Sequence, residues 1–140
     1  MATTTFTNAT DYGPDDDIDS SVTISGITVS AVTNIRLEID WTPDGDCGGD
    51  AQGGECTVYS PGDGAYYSVF SGYSQSGTDA RTNTLDITSS FPEGLNGAWR
   101  FNLQDYDMTG CFQVTETRII VTYTAVAAAA TSPAFLMFVD

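Results

Sequence analysis

The sequence predicts an all-β protein: a jelly-roll-like antiparallel β-sandwich of about eight strands with extended N- and C-terminal arms. Three observations carry that expectation. Apolar residues recur in short alternating runs, of which "NIRLEIDW" (34–41) is the clearest. Fourteen glycines and many Thr and Ser residues punctuate those runs at the spacing of turns. Helical periodicity is nowhere longer than a turn, the alanine run 127–130 excepted. At 140 residues the chain fits one domain with a sizeable core.

Taken in order, residues 1–17 read as an N-terminal arm, 18–125 as the sandwich and 126–140 as a C-terminal tail. Met1 to Thr10 is Thr-rich and β-prone, and "DYGPDDDID" (11–19) reads as a turn or loop. "SSVTISGITVSAV" (20–32) suits one or two strands broken at Gly26. In 34–41, Ile35, Leu37, Ile39 and Trp41 fall on one face and Arg36, Glu38 and Asp40 on the other, which predicts a half-buried strand. After a glycine-rich loop, "CTVYS", "PGDG" and "AYYSVFSGYS" predict a hairpin. "TNTLDITSSF" is a further strand, and "NGAWRFNLQDYD" places Trp99, Phe101 and Leu103 inward against Arg100, Asn102 and Gln104. "CFQVTETRIIVTYTAV" closes the fold as one or two strands, with Ile119, Val121 and Tyr123 on one face.

The net charge is −15; the cations are Arg36, Arg81, Arg100 and Arg118, with no Lys and no His, against fifteen Asp and four Glu. Phosphate binding needs clustered cations, so neither a nucleic acid nor an anionic membrane is an expected partner. No basic segment followed by an apolar stretch opens the chain, so no secretory signal is expected. No apolar run is long enough to span a bilayer as a helix. Without His or Lys, Ser and Cys nucleophiles have no activator, and the Asp residues fall mainly in turns; the chain is expected not to be an enzyme, with no catalytic residues.

Four other constellations are candidate sites. Asp44, Asp46, Asp50 and Glu55 in "DGDCGGDAQGGE" match the spacing of a twelve-residue calcium loop, except that Gly48 fills one ligand position. A solvated acidic loop is the competing reading. Asp15, Asp16, Asp17 and Asp19 with Asp105 and Asp107 form a second acidic set, for which a solvated turn is again the alternative. Cys47 and Cys56 bracket the glycine-rich loop and either bridge it as a disulfide or stay free; Cys111 is left over. Tyr59, Tyr66, Tyr67, Tyr73, Tyr106 and Trp41 form a sugar-stacking platform only if they share a surface, and alternation sends about half inward.

The order of "IDWTPDGD", "CTVYSPGDGAYYSVFSG", "FPEGLNGAWRFNLQDYDMTGCFQV" and "TRIIVTY" resembles the P domain that follows the catalytic domain of subtilisin-like proprotein convertases and many bacterial proteases. Ser60, Pro61, Gly64, Asn96, Gly97, Trp99, Asp105 and Gly110 carry the resemblance across residues 18–124. Trp41 and Thr42 depart from it, standing where the family has His-Thr. The resemblance implies a jelly-roll-like sandwich and a non-catalytic role beside a partner, and some members bind calcium. It does not imply proteolysis.

The tail "SPAFLMFVD" (132–140) places Phe135, Leu136, Met137, Phe138 and Val139 in one apolar run. Burial stabilises by roughly 1.5 to 3 kcal/mol per large side chain, and ordering costs about 1 to 2 kcal/mol per residue. The two nearly cancel, so the tail is expected to pair its backbone along a sheet edge, its own or a neighbour's. The sum of these readings is a structural subunit of an extracellular particle, foremost a decoration, cement or surface protein of a bacteriophage virion. It would assemble with copies of itself or other structural subunits, with calcium as a candidate cofactor that offsets charge repulsion. The alternative is an accessory module of a secreted enzyme, P-domain-like or carbohydrate-binding, with a surface glycan as ligand.

Overall fold

The computed structural model describes residues 1–15, 17–44, 52–74, 79–105 and 111–125. Nine strands account for most of them: β1 (Ala2–Asn8), β2 (Tyr12–Asp15), β3 (Asp17–Ile24), β4 (Val32–Asp44), β5 (Gln52–Tyr59), β6 (Tyr66–Ser74), β7 (Arg81–Asp86), β8 (Gly97–Asp105) and β9 (Cys111–Tyr123). They form two antiparallel sheets. One has the order β1-β9-β4-β7 with β2 also paired to β9; the other has β3-β8-β5-β6. Thus β2 pairs with β9, β3 with β8, β4 with β7 and β5 with β6. The chain is one long hairpin, folded about the turn at Pro61–Asp63 and rolled into a jelly-roll sandwich.

Alternation decides which face each strand buries. Ile35, Leu37, Ile39 and Trp41 of β4 are at most 1% exposed, and Trp99, Phe101 and Leu103 of β8 meet them from the opposite sheet. The Trp41 ring stacks on Phe70 at 5.0 Å and meets Phe112 edge-on at 5.4 Å. These are the inward positions that the sequence predicts.

The last strand is continuous over thirteen residues, but its phase slips. Asp40 pairs with Glu116 and Trp41 with Val114, so Thr115 is an extra residue at a bulge. Phe112 and Val114 point inward before the bulge, and Thr117, Ile119 and Val121 after it. A slip of one residue exchanges the two faces. For that reason the sequence reads there as one strand or two.

The same level of the sheet explains the N-terminal segment. The Thr-rich arm is held as β1, paired residue by residue with β9 from Ala2↔Tyr123 to Asn8↔Thr117, and β2 continues the edge at Tyr12↔Val114. The Asn8 amide donates to the Tyr12 hydroxyl at 3.1 Å, to the Ser21 carbonyl at 3.0 Å and to Ser20 Oγ at 3.3 Å. Ser20 and Thr117 then share a buried hydroxyl bond of 2.6 Å between the two sheets. The expectation of a loop over 11–19 is therefore corrected: β2 and β3 lie on either side of residue 16, which is outside the described residues. Asp17 and Asp19 alternate with buried Ile18 and Ser20, so their carboxylates sit on the outer face.

Local chemistry fixes the turn end of the sandwich. Ser60 N and Oγ bond Ala65 O and N at 2.8 and 2.9 Å, closing the turn between β5 and β6. Asn96 bonds both main-chain groups of Ile27, and Trp99 Nε1 donates to Leu95 O at 2.9 Å. Gly97 has φ +133°, and a Cβ there would stand 2.9 Å from the Pro61 side chain. Ser60, Pro61, Asn96, Gly97 and Trp99, which carry the P-domain resemblance, thus meet at one end of the molecule in structural roles.

Candidate functional site

The acidic positions gather at the opposite end. Asp44 pairs with Cys111 at the ends of β4 and β9, Gly54 with Asp105, and Glu55 with Gln104. Asp15 and Asp17 end β2 and begin β3 beside Phe112 and Gln104. The topology therefore brings Asp44, Glu55 and Asp105 to one end, although Glu55 is eleven positions from Asp44 and Asp105 far along the chain. Asp46, Asp50, Asp107 and Cys47 lie outside the described residues. Among the described residues, no group of three or more acidic, Cys or His side chains could hold a metal ion.

Asp17 and Asp19 have protein partners. Asn102 Nδ2 donates to Asp17 Oδ1 at 2.9 Å and to Asp19 Oδ1 at 3.0 Å, and Arg100 meets Asp19 at 3.3 Å. The amide and the guanidinium offset repulsion between these carboxylates on the outer face of the β3-β8-β5-β6 sheet. Cys56 is a free thiol in this structure, 0% exposed, and Cys47, the other end of the candidate bridge, lies outside the described residues. The Cys56 side chain belongs to the core, and burial with nearby Glu55 pushes the thiol pKa up.

The aromatic set divides as alternation requires. Trp41 is core, and Tyr67 turns inward to stack near Trp99 while its hydroxyl donates to Ser90 O at 2.7 Å. Tyr59 faces outward, but the Arg100 guanidinium lies 4.1 Å over its ring. Tyr66, directly opposite Tyr59, is 76% exposed. Tyr106 lies outside the described residues.

A cluster that sequence reasoning missed occupies the outer face of the other sheet. Arg118 of β9 donates to Glu38 at 3.0 Å, to Glu116 at 2.8 Å and to both Asp40 oxygens at 2.6 and 3.1 Å. Its side chain is 19% exposed. Thr82 Oγ1 adds a 2.5 Å bond to Asp40. Burial opposes ionisation of Asp40, yet the hydrogen bonds from Arg118 and Thr82 outweigh it and hold its pKa below the ordinary value. The Arg118 pKa is raised, chiefly by the bond to Asp40. The signal was the β9 stretch "TETR", which puts Glu116 and Arg118 on one face; the register with Glu38 and Asp40 needed the fold. Three carboxylates around one guanidinium form a tie between β4 and β9.

Phe135, Leu136, Met137, Phe138 and Val139 lie outside the described residues, which end where β9 passes into Thr124 and Ala125. Among the described residues, no helix is long and apolar enough to cross a membrane.

No family model and no curated protein matches the sequence. Among solved structures, a chain in the structure of infectious bursal disease virus, Gx strain, is similar, with a TM-score of 0.51 and 13% identity. The match covers 87% of this chain and 32% of the viral one, so this chain spans about a third of that chain's length. At that identity the likeness is one of fold: this chain is a two-sheet, all-β sandwich of a kind also found in a virus.

Proposed function

We propose that the protein is a non-enzymatic structural subunit of a virus particle, foremost a decoration, cement or surface protein of a bacteriophage virion, that assembles with copies of itself or with other shell subunits. The observation that carries this reading is the jelly-roll sandwich, which is similar to a chain of a virus structure. The absence of His and Lys from the sequence and its apolar tail support it. In this reading Phe135, Leu136, Met137, Phe138 and Val139 clamp a neighbouring subunit. Asp44, Glu55 and Asp105, at one end of the sandwich, would together with Asp46, Asp50 and Asp107 hold calcium and lower repulsion between subunits of charge −15.

The test is the mass in solution by light scattering, for the full chain and for Phe135→Asp/Phe138→Asp. A defined oligomer that the double variant loses, with unchanged circular dichroism, supports the clamp. Two monomers at every concentration would overturn assembly and favour an accessory binding module. Chelation should weaken the oligomer; a mass indifferent to chelator removes calcium from the reading and leaves assembly standing.

A further inference from the structure

The bulge in β9 coincides with a hollow. Asp40 pairs with Glu116 and Trp41 with Val114, which leaves Thr115 as the extra residue between them. On the other side of β4, Asp40 pairs with Thr82 and Trp41 with Arg81 at the start of β7. At this level lies a hollow of about 310 Å3, lined by Asp40, Trp41 and Thr42 of β4, by Thr115 of the bulge and by residues 80–82. That volume is at the small end of ligand sites, which span about 300 to 1,000 Å3. It suits a single ring.

The lining has the chemistry of a hydroxyl-rich ligand. Thr42, Thr82 and Thr115 supply three hydroxyls, each able to donate and to accept. The Asp40 carboxylate is fixed among them. Thr82 Oγ1 and Arg118 Nη2 donate to its Oδ1 at 2.5 and 3.1 Å, and Arg118 Nη1 donates to Oδ2 at 2.6 Å. A carboxylate oxygen accepts two hydrogen bonds, so Oδ2 can take a further donor. The Thr115 hydroxyl reaches the Asp40 carbonyl at 3.4 Å, a long bond that a ligand can replace. Burial works against ionisation of Asp40, but the bonds from Arg118 and Thr82 hold its pKa below the usual value. A perturbed acid inside a hollow is a mark of ligand sites.

Charge narrows the class of ligand. An anion meets Asp40 on a chain of net charge −15. A cation meets Arg81, whose guanidinium lies 5.6 Å over the Trp41 ring, and Arg118 behind Asp40. A neutral molecule with adjacent hydroxyls meets neither penalty. We infer that this hollow binds one ring of a neutral saccharide, a hydroxyl donating to Asp40 Oδ2 and its neighbours exchanging hydrogen bonds with Thr42 and Thr115. The inference goes beyond the proposed structural role and does not depend on assembly. On a particle it would give each subunit a contact for a surface glycan.

The experiment is an NMR titration of the full chain with galactose, glucose, mannose and N-acetylglucosamine, with glycerol and inorganic phosphate as controls. At least one sugar should shift the amides of Thr42, Arg81, Thr82 and Thr115 saturably, and neither control should. Thr42→Val and Thr115→Val replace a hydroxyl by a methyl group. Each should weaken binding about threefold to tenfold with the melting temperature unchanged, whereas Thr5→Val, exposed on β1, should leave binding intact. If Thr42→Val perturbs folding, Thr115→Val carries the test, because its side chain is exposed. No saturable shift from any sugar would overturn the inference. So would shifts centred elsewhere, equal shifts from glycerol, or wild-type affinity in Thr115→Val. None of these outcomes touches the proposed function, which the mass in solution tests.

Discussion

Arg118 shows what one side chain does when three carboxylates converge on it. Removing it leaves Glu38, Asp40 and Glu116 facing one another at half-buried positions on β4 and β9. Arg118→Met should therefore destabilise by about 2 kcal/mol, through lost charged hydrogen bonds and carboxylate repulsion. Chemical denaturation of the two proteins measures it. The same cluster sets a pH dependence. Asp40 has a folded pKa below its unfolded one, so its contribution is fully present above the unfolded value and is lost as pH falls through the folded one. Stability should thus decline below about pH 4, and Arg118→Met should flatten that decline. An equal slope in both proteins would move the acid sensitivity elsewhere. At Gly97, positive φ and the nearby Pro61 side chain act together: Gly97→Ala should cost about 2 to 4 kcal/mol, read as a lower melting temperature.

At the scale of elements, what could be read from the sequence depended on whether a strand keeps a single phase. β4 and β8 alternate without interruption on the core side, so their buried sets were legible from Ile35 to Trp41 and from Trp99 to Leu103. β9 was legible in two halves, because the bulge at Thr115 exchanges its faces and no local feature announces it. The stretch 11–19 looked like a turn because Asp and Gly dominate it; in the fold Asp17 and Asp19 take outer positions of β3, with Asn102 and Arg100 supplying the partners. Those partners lie some eighty residues away, as do Glu38 and Asp40 from Arg118. Spacing along the chain could group Asp44 with Glu55, but it could not show that Asp105 joins their end of the sandwich. Nor could it show that Arg100 covers Tyr59 and thereby takes one ring out of a sugar platform.

For the whole molecule, charge and topology act in different directions. The outer faces are acidic, and the ion pairs at Arg100 and Arg118 each hold more carboxylates than they can neutralise. Any assembly of such bodies should be sensitive to salt: raising ionic strength shortens the range of repulsion to about 8 Å or less at physiological concentrations and above. Association followed by light scattering should accordingly strengthen from low to moderate salt. Weakening over that range would mean that attraction between opposite charges, rather than apolar contact, holds the assembled chains together.

The hairpin arrangement also has a consequence in time. The turn at Pro61–Asp63 joins strands that are neighbours in the chain, whereas Ala2 must find Tyr123. Closing the inner pair first shortens every later search, so folding should propagate from that turn toward the termini. Substituting Gly62, which has φ +70°, by Val should slow refolding and leave unfolding nearly unchanged. Phe6→Ala on β1 should do the reverse. If stopped-flow traces show that order, the two ends of the chain are the last parts to be committed. A newly made chain would then complete the β5-β6 pair before β1 and β9 are joined.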